Sequence, residues 1–239
     1  MKTRRTVTID WGPERASGFG REWVIVGIDV IRATTTICTA VAGNRRCLVA
    51  ESLEHALRLA TAEDDPLLAG EVAGVQLPGL ELQNSPAVLA ARTDVHRPLI
   101  LVSSTGTRLL HNAAQAVDRV YAASMRNVSA QVDHLADCDG PVAVIGAGTR
   151  GTFREEDQAG CAAVAAGLLA RGWQADAATR HLVARWRDAP VSAWASGASA
   201  AYLRSSGQER DLEFVTTHLD DIPAVFEMKG EEIFLIPVP

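Results

Sequence analysis

One feature constrains this chain more than any other. Short apolar runs alternate with helix-length amphipathic stretches along most of its 239 residues. Repeated strand-then-helix units build parallel strands joined by crossovers, with helices covering both faces of the sheet. The pattern predicts strands over 23–30, 46–50, 66–69, 99–102, 120–122 and 141–145. It predicts helices over 33–42, 52–62, 107–116, 127–136 and 155–170, with Ser52 as an N-cap and a further helix opened by Asn84-Ser85-Pro86. After Gly172 the rhythm changes. Residues 174–187 and 198–203 read as helices with no strand between them, and 232–238 as a final strand. The expected fold class is α/β: a three-layer α/β/α arrangement with a mostly parallel central sheet and a more helical C-terminal portion. No linker or repeat divides the chain, so one domain over 1–239 is expected, with room for a helical subdomain at 173–210.

Composition excludes several classes. Hydrophobic residues make up 47% and charged residues 22%, which suits a packed core. The formal net charge is −6 and no basic stripe offsets it, so nucleic acid is not an expected partner. No apolar run approaches the roughly 18 residues of a membrane helix. The basic cluster Met1-Lys2-Thr3-Arg4-Arg5 is followed by no apolar signal-peptide segment, so the expected location is the cytoplasm. Cys38, Cys47, Cys138 and Cys161 form no C-x-x-C pair and read as buried free thiols.

In an open α/β sheet, ligands bind beyond the carboxyl ends of the strands, and polar residues collect at those positions. The first predicted strand runs into Asp29-Val30-Ile31-Arg32-Ala33-Thr34-Thr35-Thr36. Asp29 suits a hard cation, Arg32 offers a donor fork that matches phosphate, and Thr34 to Thr36 put hydroxyls and N–H groups at a helix start. Glu71 follows the strand ending at Ala69, and the loop beyond it leads to Gln83-Asn84-Ser85-Pro86. Ser103-Ser104-Thr105-Gly106-Thr107 forms another strand-to-helix turn able to cradle an anion, without the lysine of a P-loop. At each turn, ordinary capping and solvated side chains are the competing explanation.

The turn Gly146-Ala147-Gly148-Thr149-Arg150-Gly151 satisfies G-x-G-x-x-G and supports a rival reading, a dinucleotide-binding oxidoreductase. Against it, the next helix starts Arg154-Glu155-Glu156-Asp157, whose carboxylates repel a pyrophosphate. In addition, residues 171–176 run straight into helix where the fingerprint expects a second strand. Glu156 and Asp157 fit better as cation ligands or orienters of a water. Carboxylates, an arginine and anion-cradling turns at one set of strand ends are the ingredients of metal-assisted phosphate chemistry. Spacing removes the covalent variants. Asp29 lacks the second aspartate of D-x-D, the residues six after the cysteines are Asn44, Leu53, Val144 and Gly167 rather than arginine, and the six histidines show no metal-ligand spacing. Direct attack by an activated water remains.

At these same turns the chain resembles the 2-phosphosulfolactate phosphatase (ComB-like) family over about 24–170. The resemblance rests on Asp29-Val-Ile-Arg-Ala-Thr-Thr-Thr36, Gly70-Glu71 with Gly74, Asn84-Ser85-Pro86, Gly106-Thr107, and Ala147-Gly148 followed by Glu156-Asp157. It implies a magnesium-dependent α/β/α enzyme that releases phosphate from 2-phospho-3-sulfolactate. By carry-over it points to Asp29, Arg32, Glu71, Asn84, Ser85, Thr107, Glu156 and Asp157. The expected assignment makes Asp29, Arg32, Glu71 and Asp157 catalytic, and Asp29, Glu71, Glu156 and Asp157 metal ligands. Thr34, Thr35, Asn84, Ser85, Thr105, Gly106, Thr107 and Gly148 are expected to bind a small phosphorylated metabolite. The chain departs from the family pattern at Leu80, Glu81 and Gln83, where Phe, Asp and Gly are usual, and at Thr105, where Asn is usual. Another phosphorylated hydroxy acid as substrate, or a non-catalytic phospho-ligand-binding relative, stays open, as does assembly into a homo-oligomer.

Overall fold

The computed structural model of the chain describes residues 5–72 and 74–238; Met1 to Arg4 of the basic cluster and Ala73 of the Gly70–Gly74 turn lie outside them. Ten strands are found among the described residues: β1 Thr6–Trp11, β2 Val24–Ile28, β3 Cys47–Ala50, β4 Leu67–Gly70, β5 Leu99–Val102, β6 Arg119–Ala123, β7 Val142–Gly146, β8 Gln174–Ala175, β9 Ala224–Lys229 and β10 Glu232–Pro237. The helices are α1 Ala33–Ala42, α2 Leu53–Ala60, α3 Pro86–Ala90, α4 Gly106–Ala116, α5 Val128–Ala136, α6 Glu155–Ala170, α7 Ala177–Trp186, α8 Val191–Trp194, α9 Ala198–Ser205 and α10 Glu209–Thr217. The strands form one sheet in the order β4-β5-β3-β10-β9-β6-β2-β7-β1-β8.

Two parallel blocks, β4-β5-β3 and β6-β2-β7-β1-β8, are joined by the β9–β10 hairpin, which pairs antiparallel with both. The central strands read as unbroken apolar runs because both faces are covered. In β2, Val24, Val26 and Ile28 pack with α5, α6 and α7, while Ile25 packs with α1 and α4. The expected mostly parallel, helix-covered sheet with a helical C-terminal portion is what the chain forms. No helix of the described residues is long and apolar enough to cross a membrane.

Residues 171–176 do not run straight into helix. Gln174 and Ala175 pair with Thr6 and Val7 as a two-residue edge strand before α7 begins. Such a short strand has no periodicity of its own and exists only because β1 supplies a ladder.

One packing detail positions the site. A Cβ on Gly27 would lie 2.8 Å from Leu110 Cδ2, so glycine there lets α4 settle closely onto β2. The carboxyl ends of β2 and β5, from different blocks, meet through this helix.

Candidate active site

Asp29 is the first residue past β2 and is 7% exposed. The chain turns tightly there because Thr34 clasps it. Its Oγ1 accepts from the Asp29 N–H at 2.8 Å and donates to the Asp29 carbonyl at 2.9 Å. Thr35 Oγ1 donates to the Val30 carbonyl at 2.8 Å, and Thr36 Oγ1 donates to Asn84 Oδ1 at 2.7 Å. An equivalent clasp closes the turn from β5 to α4, where Ser103 N–H donates to Thr107 Oγ1 at 3.0 Å and that hydroxyl donates to the Ser103 carbonyl at 3.2 Å. The hydroxyls of Thr34, Thr35 and Thr107, expected on a ligand, are thus engaged with their own turns. Thr105 is the N-cap of α4, and its side chain makes no capping bond. Gly106 follows it, pressed so closely on Asp29 that a Cβ there would lie 2.3 Å from Asp29 Oδ2.

Four carboxyl groups converge on this point. Glu71 accepts from Ser104 N–H at 2.9 Å, from Ser104 Oγ at 3.0 Å and from Gly74 N–H, which anchors it beside the β5 turn. Asp157 accepts from Val30 N–H and Gly148 N–H, both at 2.9 Å, and so ties the turn after β2 to the turn after β7. Glu156 is 1% exposed, and its Oε2 has no partner among the described residues. Burial pushes the Asp29 carboxyl up to about 7; the Ala33 N–H opposes this, the charges of Glu71 and Glu156 add to it, and Arg32 opposes it. Burial likewise holds Asp157 well above the usual carboxylate range, with the charges of Asp29 and Glu156 contributing. Glu156 is raised by burial, against hydrogen bonding from Ser199.

Arg32 is 5% exposed and meets residues that the sequence did not flag. Its Nη1 donates to Asp211 Oδ2 and, at 2.6 Å, to Gln208 Oε1. Asp211 Oδ1 in turn accepts from Ser85 Oγ at 2.6 Å and from Ala87 N–H at 3.1 Å. The region of Ser199, Gln208 and Asp211 carries no motif, and only the packing of α9 and α10 brings it to the site. An unpaired acid in a polar stretch holds no local signal of a partner 179 residues away.

The structure brings together Asp29, Arg32, Glu71, Glu156 and Asp157, with Asn84, Ser85, Thr105, Gly106 and Gly148 around them. Two departures from the family pattern fall outside this group: Leu80 is buried in a cluster with Leu48 and Ile100, and Glu81 pairs with Arg97. Thr105 falls inside it. The Gly148 N–H that a pyrophosphate would need is taken by Asp157, which weakens the dinucleotide reading. Two surface grooves, of about 700 and 530 Å³, involve neither Asp29 nor Glu156.

No three His, Cys, Asp or Glu side chains among the described residues form a ready-made metal cage. Magnesium, however, commonly takes only one or two protein carboxylates and completes its shell with water and phosphate. Glu156 Oε2 and Asp29 Oδ2, neither with a hydrogen-bond partner among the described residues, are oxygen donors of the required kind. Asp29, Glu71, Glu156 and Asp157 outnumber the arginines whose charges reach them, Arg32 and Arg154, and a bound cation would fit such an acid-rich lining.

The family model described as 2-phosphosulpholactate phosphatase matches residues 13–231. A protein of Deinococcus radiodurans named probable 2-phosphosulfolactate phosphatase is 32% identical over 84% of this chain and 90% of its own length. Proteins of the same name from Thermus thermophilus and Symbiobacterium thermophilum are 33% identical over 80% of this chain and 82% of their length, and 42% identical over 56% and 58%. The acids and the arginine of the site lie within the matched residues, and the chain belongs to the 2-phosphosulpholactate phosphatase family, whose members are phosphoric monoester hydrolases.

Proposed function

We propose that this chain hydrolyses 2-phosphosulfolactate, or a closely similar phosphorylated hydroxy acid, by direct attack of water in a magnesium-dependent site. The observation that carries the reading is the convergence of three buried carboxyl groups, Asp29, Glu156 and Asp157, and the half-buried Glu71, from three strand ends beside one tethered guanidinium. Asp29 and Glu156, with Glu71 beside them, are the residues that would hold the cation. Bound there, magnesium supplies positive charge that offsets the phosphoryl oxygens and acidifies a water.

The remaining steps belong to the chain's own residues. Arg32 binds phosphoryl oxygens through its Nε and Nη2 donors. Asp29, whose Oδ2 has no hydrogen-bond partner among the described residues, takes the proton of the attacking water. As the water oxygen bonds to phosphorus, the ester O–P bond breaks and the organic oxygen leaves, taking a proton from solvent to become a hydroxyl, while Asp29 returns the water's proton to solvent. Asp157, whose two oxygens are both held by backbone N–H groups, fixes the shape of the turn that carries Asp29. Four buried free thiols suit the reducing cytoplasm as the place of work.

The test is phosphate release from 2-phosphosulfolactate and a panel of phosphorylated hydroxy acids, with and without magnesium. Activity that needs magnesium is expected, together with a loss of about a hundredfold or more in Asp29→Asn and in Arg32→Ala. Full activity in both folded variants would end this assignment of roles.

A further inference from the structure

We propose that Asp211 is a positioning residue for Arg32, tying down one end of the guanidinium so that the other end is presented to the phosphoryl group. The inference deepens the phosphatase reading and rests on it. Asp211 lies in α10, is 3% exposed, and has both oxygens in use. Oδ2 accepts from Arg32 Nη1, while Oδ1 accepts from Ser85 Oγ and Ala87 N–H. Gln208, one turn earlier, supplies a second acceptor for the same Nη1. The two hydrogens of Nη1 are therefore committed to two acceptors on one segment.

Nε and Nη2 take no hydrogen-bond partner among the described residues, and neither is sealed from solvent. Those two nitrogens form the parallel donor pair that matches two oxygens of a phosphate. A guanidinium secured only by its own flexible side chain would swing toward the acids around it, and its charge already reaches Asp29. Asp211 offers a competing carboxylate on the far side and keeps the fork turned outward.

The carboxylate is itself held. The Ser85 hydroxyl accepts from Val88 N–H at 3.2 Å as the cap of α3 and donates to Asp211 at 2.6 Å. The starts of α1, α3 and α10 are thereby coupled through one side chain. This gives the family-pattern residue Ser85 a role one step removed from the ligand: it orients the residue that orients Arg32.

The experiment compares Asp211→Asn, Arg32→Lys and the double variant in the full-length protein. The readouts are kcat and KM for phosphate release, titration of inorganic phosphate by calorimetry, and Tm. Asparagine keeps an oxygen for Ser85 and Ala87, so Asp211→Asn is expected to stay folded. It is expected to lose about a hundredfold in kcat/KM, the scale of a misplaced binding group, and to bind inorganic phosphate more weakly. In the Arg32→Lys background, which lacks the fork, adding Asp211→Asn is expected to change activity less than threefold, because the two residues act as one unit.

A purely structural carboxylate would lower Tm in both backgrounds and leave turnover per folded molecule and phosphate affinity unchanged. That result overturns the inference while leaving the phosphatase reading intact. Absence of turnover in the wild type, with phosphate binding that still depends on Asp211, overturns the catalytic reading alone. A wild type that neither turns over esters nor binds phosphate overturns both.

Discussion

Replacing Gly106 by alanine isolates the contact between α4 and Asp29. Gly106 has no unusual φ and opens a helix, so on propensity alone alanine there would be neutral or mildly stabilising, by up to about 1 kcal/mol. The structure predicts the opposite sign. The new Cβ would lie 2.3 Å from Asp29 Oδ2, 2.6 Å from Ala33 Cβ and 3.0 Å from Asp29 Cβ. Neither neighbour is a free-swinging chain end, since Asp29 is held by Ala33 N–H and Ala33 lies in the first turn of α1. Inserting a methyl into such a site costs about 1–3 kcal/mol. A Cβ at 2.3 Å puts the cost in the upper part of that range, about 2–3 kcal/mol, so after a propensity gain of up to about 1 kcal/mol the net loss is about 1–3 kcal/mol, which in a chain of this size lowers Tm by roughly 2–12 °C. Activity should fall further than stability. Relief of the contact moves the Asp29 carboxyl by a sizeable part of an ångström, and displacement on that scale costs about a hundredfold in rate. Thermal unfolding and phosphate release on the same preparation measure both effects. An unchanged or higher Tm with full activity would refute the argument, because α4 would then not be seated against Asp29.

Two further predictions concern the buried acids. The folded pKa of Asp29 is about 7 against an ordinary 3.8, so its contribution to stability is fully present below about pH 4 and is lost as pH rises through 7. Asp29→Asn should flatten that part of the Tm-against-pH curve and raise Tm at pH 8, by up to about 4 kcal/mol in stability, in a protein that no longer releases phosphate; parallel wild-type and variant curves would contradict it. Asp157→Ala leaves the Val30 and Gly148 N–H groups buried without their acceptor, at a cost of about 1–3 kcal/mol each before the relief of a buried charge is counted. Hydrogen exchange should show both amides losing protection, and unchanged exchange there would remove Asp157 as the brace between β2 and β7.

The sequence disclosed what is local. The bounds of α1, β5 and α6 match those expected, and Ser52 and Ser85 cap their helices through His55 and Val88 N–H, because strand patterning and capping are written within a few residues. Strand β1 was missed although its burial alternates, because Thr6, Thr8 and Asp10 make it look polar; only the neighbours β7 and β8 reveal it as a strand. Strand β9 escaped for a similar reason, because Glu227 and Lys229 break the apolar character of its second half. The acids at strand ends were legible because the α/β architecture itself dictates where such residues meet. Asp211 and Gln208 were not, since nothing in α10 announces which distant arginine it will face. The roles of the threonines needed coordinates too. The residue type fits ligand binding and turn closure equally, and only the geometry shows Thr34 and Thr107 spent on the turns.

The span between Arg32 and Asp211 bears on how the protein comes into being. A ribosome delivers the N-terminal acids and arginine long before α10, so most of the pocket emerges while its clamp is still unsynthesised. On the proposed role of Asp211, a nascent chain that ends before α10 would leave its guanidinium free to turn against the surrounding acids. Competence would then await α10 and the β9–β10 hairpin that joins the two parallel blocks.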